Sequence, residues 1–159
     1  MKNKKKVLFI SSTGGHLNEL MQLKPMFKKY DYHIITEYTD STKYLKKEYK
    51  NKIDYLKFGS KDHLFSYFFK FIYNLIKSIY LFFKIKPDVV ITTGTHTAVS
   101  MCYIAKLFRK KVVFIETFAN IDTPTLAGRI AYGIADLFLV QWEELLKVYP
   151  KAKYKGGIY

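Results

Sequence analysis

Cysteine is nearly absent. Cys102 is the only one in 159 residues, which excludes an internal disulfide framework and predicts a reducing compartment. Tryptophan is just as scarce, with Trp142 alone. Four prolines and eight glycines are too few for a flexible linker or a low-complexity arm, and the chain carries no internal repeat. Acidic side chains are also short: 13 Asp plus Glu stand against 27 Lys plus Arg, giving a formal charge of +14. No secretory signal is expected either. Met1–Lys6 is basic, but the apolar run after it, Val7–Ile10, soon meets Ser11-Ser12-Thr13-Gly14-Gly15. That run is too short and polar for an exported segment, and the chain is expected to stay in the cytoplasm. The dinucleotide pattern G-x-G-x-x-G and the phosphate-loop pattern G-K-[ST] are both absent. The four histidines, His16, His33, His63 and His96, form no H-x₃-H pair, so neither a metal nor a cofactor is expected.

What is present is the composition of one globular domain, expected over residues 1–159, with 49% hydrophobic and 25% charged residues. Tyrosine and phenylalanine are abundant, at 14 and 13. A basic, aromatic-rich domain has two natural acidic partners, nucleic acid and an anionic membrane surface. No nucleic-acid-binding motif accompanies the charge. Much of it lies in Lys2–Lys6, Lys43–Lys52 and a lysine series at 70, 77 and 84, which favours the membrane and predicts no nucleic-acid partner.

Short β-branched runs alternate with longer helical stretches. Strands are predicted at Lys6–Ser12, Tyr32–Tyr38, Asp54–Phe58, Val89–Thr93, Lys111–Glu116 and Leu137–Gln141. Helices are predicted at His16–Lys29 (kinked or interrupted by Pro25), Ser41–Asn51, Leu64–Ile85, Thr97–Arg109, Thr125–Ala135 and Trp142–Val148. Such alternation predicts a single α/β, Rossmann-like domain with a mainly parallel sheet, because each parallel crossover needs a covering helix. Ligands of such sheets bind beyond the carboxyl ends of the strands.

Three strand ends carry candidate chemistry. After the first strand, Thr13, Gly14, Gly15 and His16 run straight into a helix, whose free amides and positive dipole end suit an anion. A tight turn without ligand would use the same residues. His16 in the first helical turn is expected to stay neutral against the dipole and serve as a base; a helix-capping histidine is the plainer alternative. After Val89–Thr93 come Gly94, Thr95, His96 and Thr97, a second glycine-containing helix start. Two such loops at adjacent strand ends would suit a diphosphate. Glu116 ends the next strand, either as a base or sugar-hydroxyl acceptor or as a structural acceptor.

Leu64–Ile85 is the most apolar stretch, 22 residues interrupted by Lys70, Lys77 and Lys84. Mid-membrane lysines cost about 2.5–3.5 kcal/mol each, so a span is disfavoured. Phe65, Phe68, Phe69, Phe71, Phe82 and Phe83 surround most of the helix. It is therefore expected to lie on an anionic membrane surface, its lysines meeting headgroups. A core helix with its lysines turned outward is the competing arrangement.

Several stretches carry a family resemblance over nearly the whole chain: SSTGGHL at Ser11–Leu17, KPDVVITTG at Lys86–Gly94, IET at Ile115–Thr117, ADLFLVQWEEL at Ala135–Leu145 and YPKAKYKGGI at Tyr149–Ile158. They resemble the membrane-associated subunit of the split GlcNAc transferase that makes the second dolichol-linked sugar. Its bacterial counterparts in capsule and exopolysaccharide synthesis are more similar still. The resemblance implies the N-terminal, acceptor-side half of a GT-B glycosyltransferase whose donor-binding domain is a separate polypeptide. That complex would move a sugar, with inversion, from a UDP-sugar to an undecaprenyl-diphosphate-linked sugar. A non-catalytic membrane anchor for the partner is the alternative. By carry-over, the loops at Gly14-Gly15-His16 and Gly94-Thr95-His96 approach the lipid diphosphate, and His16 is the candidate base. Gln141, Trp142, Gly156 and Gly157 are expected near the partner. Eukaryotic members carry an N-terminal transmembrane helix, so here Leu64–Ile85 would supply the membrane contact.

Overall fold

The computed structural model describes residues 4–59 and 64–158, with side chains for all of these except 64–67. Seven strands form one sheet: β1 (Lys6–Ile10), β2 (Asp31–Tyr38), β3 (Ile53–Lys57), β4 (Val89–Thr92), β5 (Lys111–Ile115), β6 (Leu137–Val140) and β7 (Lys153–Tyr154). Their order is β3-β2-β1-β4-β5-β6-β7, and every neighbouring pair is parallel. The single domain of α/β class is as expected. The two-residue β7 went unpredicted because KY carries no apolar run.

The helices are α1 (Gly15–Gln22), α2 (Lys24–Phe27), α3 (Leu45–Tyr49), α4 (Leu64–Ile85), α5 (His96–Leu107) and α6 (Leu126–Tyr132). Pro25 stands in the first turn of α2, where its missing N–H is harmless, so the predicted long helix is divided at Leu23 rather than kinked. Residues expected to open α3 at Ser41 instead form a turn, in which the Thr42 hydroxyl donates to the Glu37 carbonyl at 2.7 Å. The predicted helix at Trp142–Val148 is a 3₁₀ segment, Glu143–Lys147.

Strand residues alternate between two cores. Leu8, Ile10, Val90 and Val112 pack with Leu81, Met101 and Cys102 under α4 and α5. Val7, Phe9, Ile34 and Ile91 face Leu17, Leu20 and Phe27 from α1 and α2. A third cluster joins Phe114, Phe138 and Val140 to α6 and Tyr149. On the α1 side of the sheet, Val113 and Leu139 are only partly buried, with Ile158 of the tail packed against the same cluster. Chain order reverses between β1 and β4, which run side by side from Val7↔Val89 to Ile10↔Thr92. Their following loops therefore open a crevice between them.

Candidate functional site

The crevice is closed by reciprocal hydrogen bonds between the two loops. His16 Nδ1 lies 2.7 Å from the Thr93 carbonyl, and the Thr93 hydroxyl donates to the His16 carbonyl at 2.7 Å. A carbonyl can only accept, so Nδ1 carries the proton in the neutral ring and Nε2 keeps its lone pair. Two glycines make this approach possible. Gly14 holds φ +74° as the N-cap of α1. Gly94 holds φ +99°, and a Cβ there would meet the His16 ring at 3.3 Å.

Glu19, which sequence reasoning missed, completes the arrangement. It stands one turn after His16, with Oε2 3.6 Å from Nδ1. Its Oε1 accepts from the Thr117 hydroxyl at 2.7 Å and the Phe118 amide at 2.9 Å. The i,i+3 spacing of His16 and Glu19 was the available signal. Burial alone would lower the His16 pKa, but the Glu19 carboxylate and the Thr93 carbonyl together raise it above the ordinary histidine value. This corrects the expectation from the helix dipole: a nearby carboxylate outweighs the partial charge of the helix end. Glu19 is held below the ordinary carboxylate value, its burial outweighed by the nearby His16 ring and by hydrogen bonds from Thr117 and Phe118.

The other candidates divide. Thr95 and His96 line the crevice beside His16. Thr97 is buried, and its hydroxyl donates to Glu37 Oε1 at 2.7 Å. Glu37 Oε2 accepts from the Thr13 amide at 3.3 Å. Thr97 and Thr13 therefore position the two loops through Glu37, a strand-end carboxylate that sequence reasoning did not single out. Glu116 does not fit the role of base. It is 1% exposed, and its oxygens accept from the Thr117 amide, the Thr125 hydroxyl and the Tyr149 hydroxyl at 2.8–3.1 Å. It clamps the start of α6 from within the core. Among the described residues, no group of His, Cys, Asp and Glu could hold a metal ion.

From His16, His96 and Thr95 an apolar groove of about 930 Å³ runs between α4, α5 and α6, past Phe71, Tyr103 and Ile130. Beside it, α4 differs from the expected arrangement. Its polar stripe turns toward the edge strand β3. Asn74 hydrogen-bonds both backbone groups of Lys57 at 2.8 Å, Ser78 is buried, and Lys84 pairs with Asp54 at 3.1 Å. Phe82 is buried against Phe108, correcting its assignment to the membrane. Phe68, Phe69, Ile72, Ile76, Tyr80 and Phe83 are exposed on one contiguous face. Lys70 and Lys77 are half-buried, Lys77 lying over the Tyr73 ring. The Phe65 side chain lies outside the described residues. No described helix is long and apolar enough to cross a membrane.

At the sheet's other edge, Gln141 is buried and accepts from the Ile158 amide at 2.9 Å. It therefore holds the tail in place and offers no surface of its own. Trp142 is half-exposed, and its Nε1 donates to the Phe118 carbonyl at 2.8 Å. Gly157 is exposed and Gly156 half-buried.

The family described as "Oligosaccharide biosynthesis protein Alg14 like" matches residues 7–158. The chain belongs to the Alg14-like family. It is 29% identical to the UDP-N-acetylglucosamine transferase subunit ALG14 of Mus musculus, covering 96% of this chain and 82% of that one. The subunit of the same name from Kluyveromyces lactis is also 29% identical, with 98% and 79% covered. Among solved structures, Acinetobacter baumannii MurG matches 96% of this chain with a TM-score of 0.74 at 15% identity. A UDP-N-acetylglucosamine 2-epimerase matches 95% with a TM-score of 0.71 at 20% identity. Both likenesses concern the fold. This chain spans less than half the length of either structure, 45% and 46%, and the shared region is the N-terminal half of the GT-B architecture.

Proposed function

We propose that this protein is the acceptor-side subunit of a two-component inverting glycosyltransferase at the cytoplasmic face of a membrane. Its partner, a separate donor-binding polypeptide, would hold a UDP-sugar, UDP-N-acetylglucosamine being the first candidate from the names of the relatives. The acceptor would be a sugar on a prenyl diphosphate. The bacterial form of this chemistry would use undecaprenyl diphosphate in capsule or exopolysaccharide synthesis.

One observation carries the reading: a histidine with its Nε2 lone pair available stands at the switch point, between two glycine loops, at the head of an apolar groove. The acceptor hydroxyl attacks the anomeric carbon as the bond from that carbon to the diphosphate oxygen breaks. His16 Nε2 takes the hydroxyl proton, and UDP leaves from the partner. Glu19 stabilises the imidazolium that forms. The start of α5, together with Thr95, faces the acceptor diphosphate.

The exposed apolar face of α4 supports peripheral attachment. Six large apolar side chains are exposed side by side there, where a solvent-facing helix would ordinarily carry polar ones. The partly uncovered sheet face at Val113 and Leu139, and the tail at Gly156 and Gly157, support docking of the partner there.

The test is sugar transfer from a panel of UDP-sugars to a prenyl-diphosphate-linked sugar, using this chain, the donor-binding polypeptide, and both together. Turnover only in the mixture supports the split enzyme. Wild-type kcat in the mixture with His16→Ala would reduce this subunit to an anchor. Activity from this chain alone would overturn the proposal.

A further inference from the structure

The groove between α4, α5 and α6 has no explanation in the folding of this chain. Its walls include Val99, Tyr103 and Leu107 from α5 and Leu126 and Ile130 from α6. Leu107 and Leu126 are 77% and 70% exposed, the two most exposed large apolar residues among those described. The opposite face of α5, with Ala98, Met101, Cys102 and Ala105, is already packed on the sheet. An ordinary surface helix would carry polar residues outward. This one is apolar on both faces, which predicts a second apolar neighbour. Among the described residues, no aspartate, glutamate, lysine or arginine lines the groove.

Polar groups concentrate at one end of the groove, with Ser100 of α5 one turn beyond His96. That end holds His16, Thr95, His96 and Thr125 at the strand ends, and the buried Thr95 hydroxyl has no hydrogen-bond partner. The long side is continuous with the membrane-docking face. Phe71 and Leu75 of α4 form the groove wall, while Phe68, Ile72 and Ile79, neighbours on the same helix, lie on the exposed face. A ligand matching this surface has a long, uncharged, branched apolar chain, enters sideways from a bilayer, and ends in a polar head. The volume is at the upper end of the ~300–1,000 Å³ usual for small-ligand sites.

Resting on the acceptor reading above, we infer that the groove binds the head-proximal isoprene units of the polyprenyl chain, lifting them out of the bilayer and aligning the diphosphate with the two glycine loops. The chain then contributes directly to recognition. A bilayer that merely dissolved the whole lipid tail would make the protein indifferent to the isoprenes nearest the head.

The test is calorimetric titration of the full chain, free of membrane, with geranyl, farnesyl and geranylgeranyl diphosphate, and with inorganic diphosphate and geranylgeraniol as controls. Affinity should rise with length, at least about tenfold from geranyl to geranylgeranyl diphosphate, as further methylene groups are buried. Ser100→Trp, which fills the groove floor, should abolish that gain. Leu126→Glu with Leu107→Glu should do the same from exposed positions that leave the fold intact. Ile76→Glu, on the outer face of α4, should weaken vesicle binding and leave the length dependence unchanged.

Length-independent binding, or a length dependence untouched by the groove variants, overturns the inference while leaving the diphosphate site standing. Geranylgeraniol binding as tightly as its diphosphate would keep the groove and overturn the diphosphate reading of the loops. A dimer in sedimentation analysis that the groove variants dissociate would assign the groove to a second copy instead, and the inference fails.

Discussion

His16 Nδ1 and the Thr93 carbonyl oxygen, 77 positions apart in sequence, lie 2.7 Å apart. That contact fixes the ring so that Nε2 is the nitrogen available to a substrate, and it fastens the loop after β1 to the loop after β4. His16→Gln in the assembled enzyme should lower kcat by about 10²–10⁴-fold, the usual contribution of a general base. The mixture assay above measures it directly.

Glu19 sets the pH at which His16 becomes a base. The raised His16 pKa places the acid limb of kcat/KM above the ordinary histidine value, with activity growing as pH rises through it. Glu19→Gln removes the carboxylate that stabilises the imidazolium, so the His16 pKa falls and the acid limb moves to lower pH. The pH profile of the variant is decisive, since a purely structural role for Glu19 would change the rate without moving the limb.

Glu116 acts on stability rather than on chemistry. Glu116→Ala strands the Thr125 and Tyr149 hydroxyls and should cost about 1–3 kcal/mol for each group left unpaired. Gly128→Ala attacks the same clamp from the other side, since its Cβ would overlap Glu116 Oε2 and crowd the Tyr149 hydroxyl at 2.7 Å. A destabilisation of about 1–3 kcal/mol is expected. Urea unfolding reads both, and Glu116→Gln should keep wild-type kcat.

Asp54 ties α4 to β3. Burial would raise its pKa, but His33 at 2.9 Å and Lys84 at 3.1 Å hold it down to about 2. Its contribution is therefore complete above the unfolded aspartate value of about 4 and is lost as pH falls toward 2. Asp54→Asn should be less stable than wild type near neutrality, and the difference should shrink through that window. Chemical denaturation at stepped pH measures it.

Membrane binding should depend on the outer face of α4. Ile76 is 63% exposed and Phe68 58%. Replacing both by serine removes about 1.5–3 kcal/mol of apolar transfer for each side chain that inserts fully. Co-flotation with anionic vesicles should fall by more than tenfold, while the melting temperature stays at the wild-type value.

The sequence by itself determined the α/β class, the bounds of the long helix at Leu64–Ile85, and the two glycine loops that meet at the site. Those features are local: hydrophobic period, turn residues and helix starts are written in consecutive positions. Only the tertiary structure decided what each polar residue faces. Glu116 and Glu19 both carry a carboxylate beside a candidate loop, yet the first is enclosed by Thr125 and Tyr149 and the second reaches His16. The lysine stripe of α4 could be read as facing a membrane. Its neighbours Asn74, Ser78 and Lys84 engage β3 or the interior instead, leaving the aromatic face outward. Helical period shows that a face is polar or apolar but not which neighbour it meets, because that depends on strand order, and strand order is set by contacts distant in sequence.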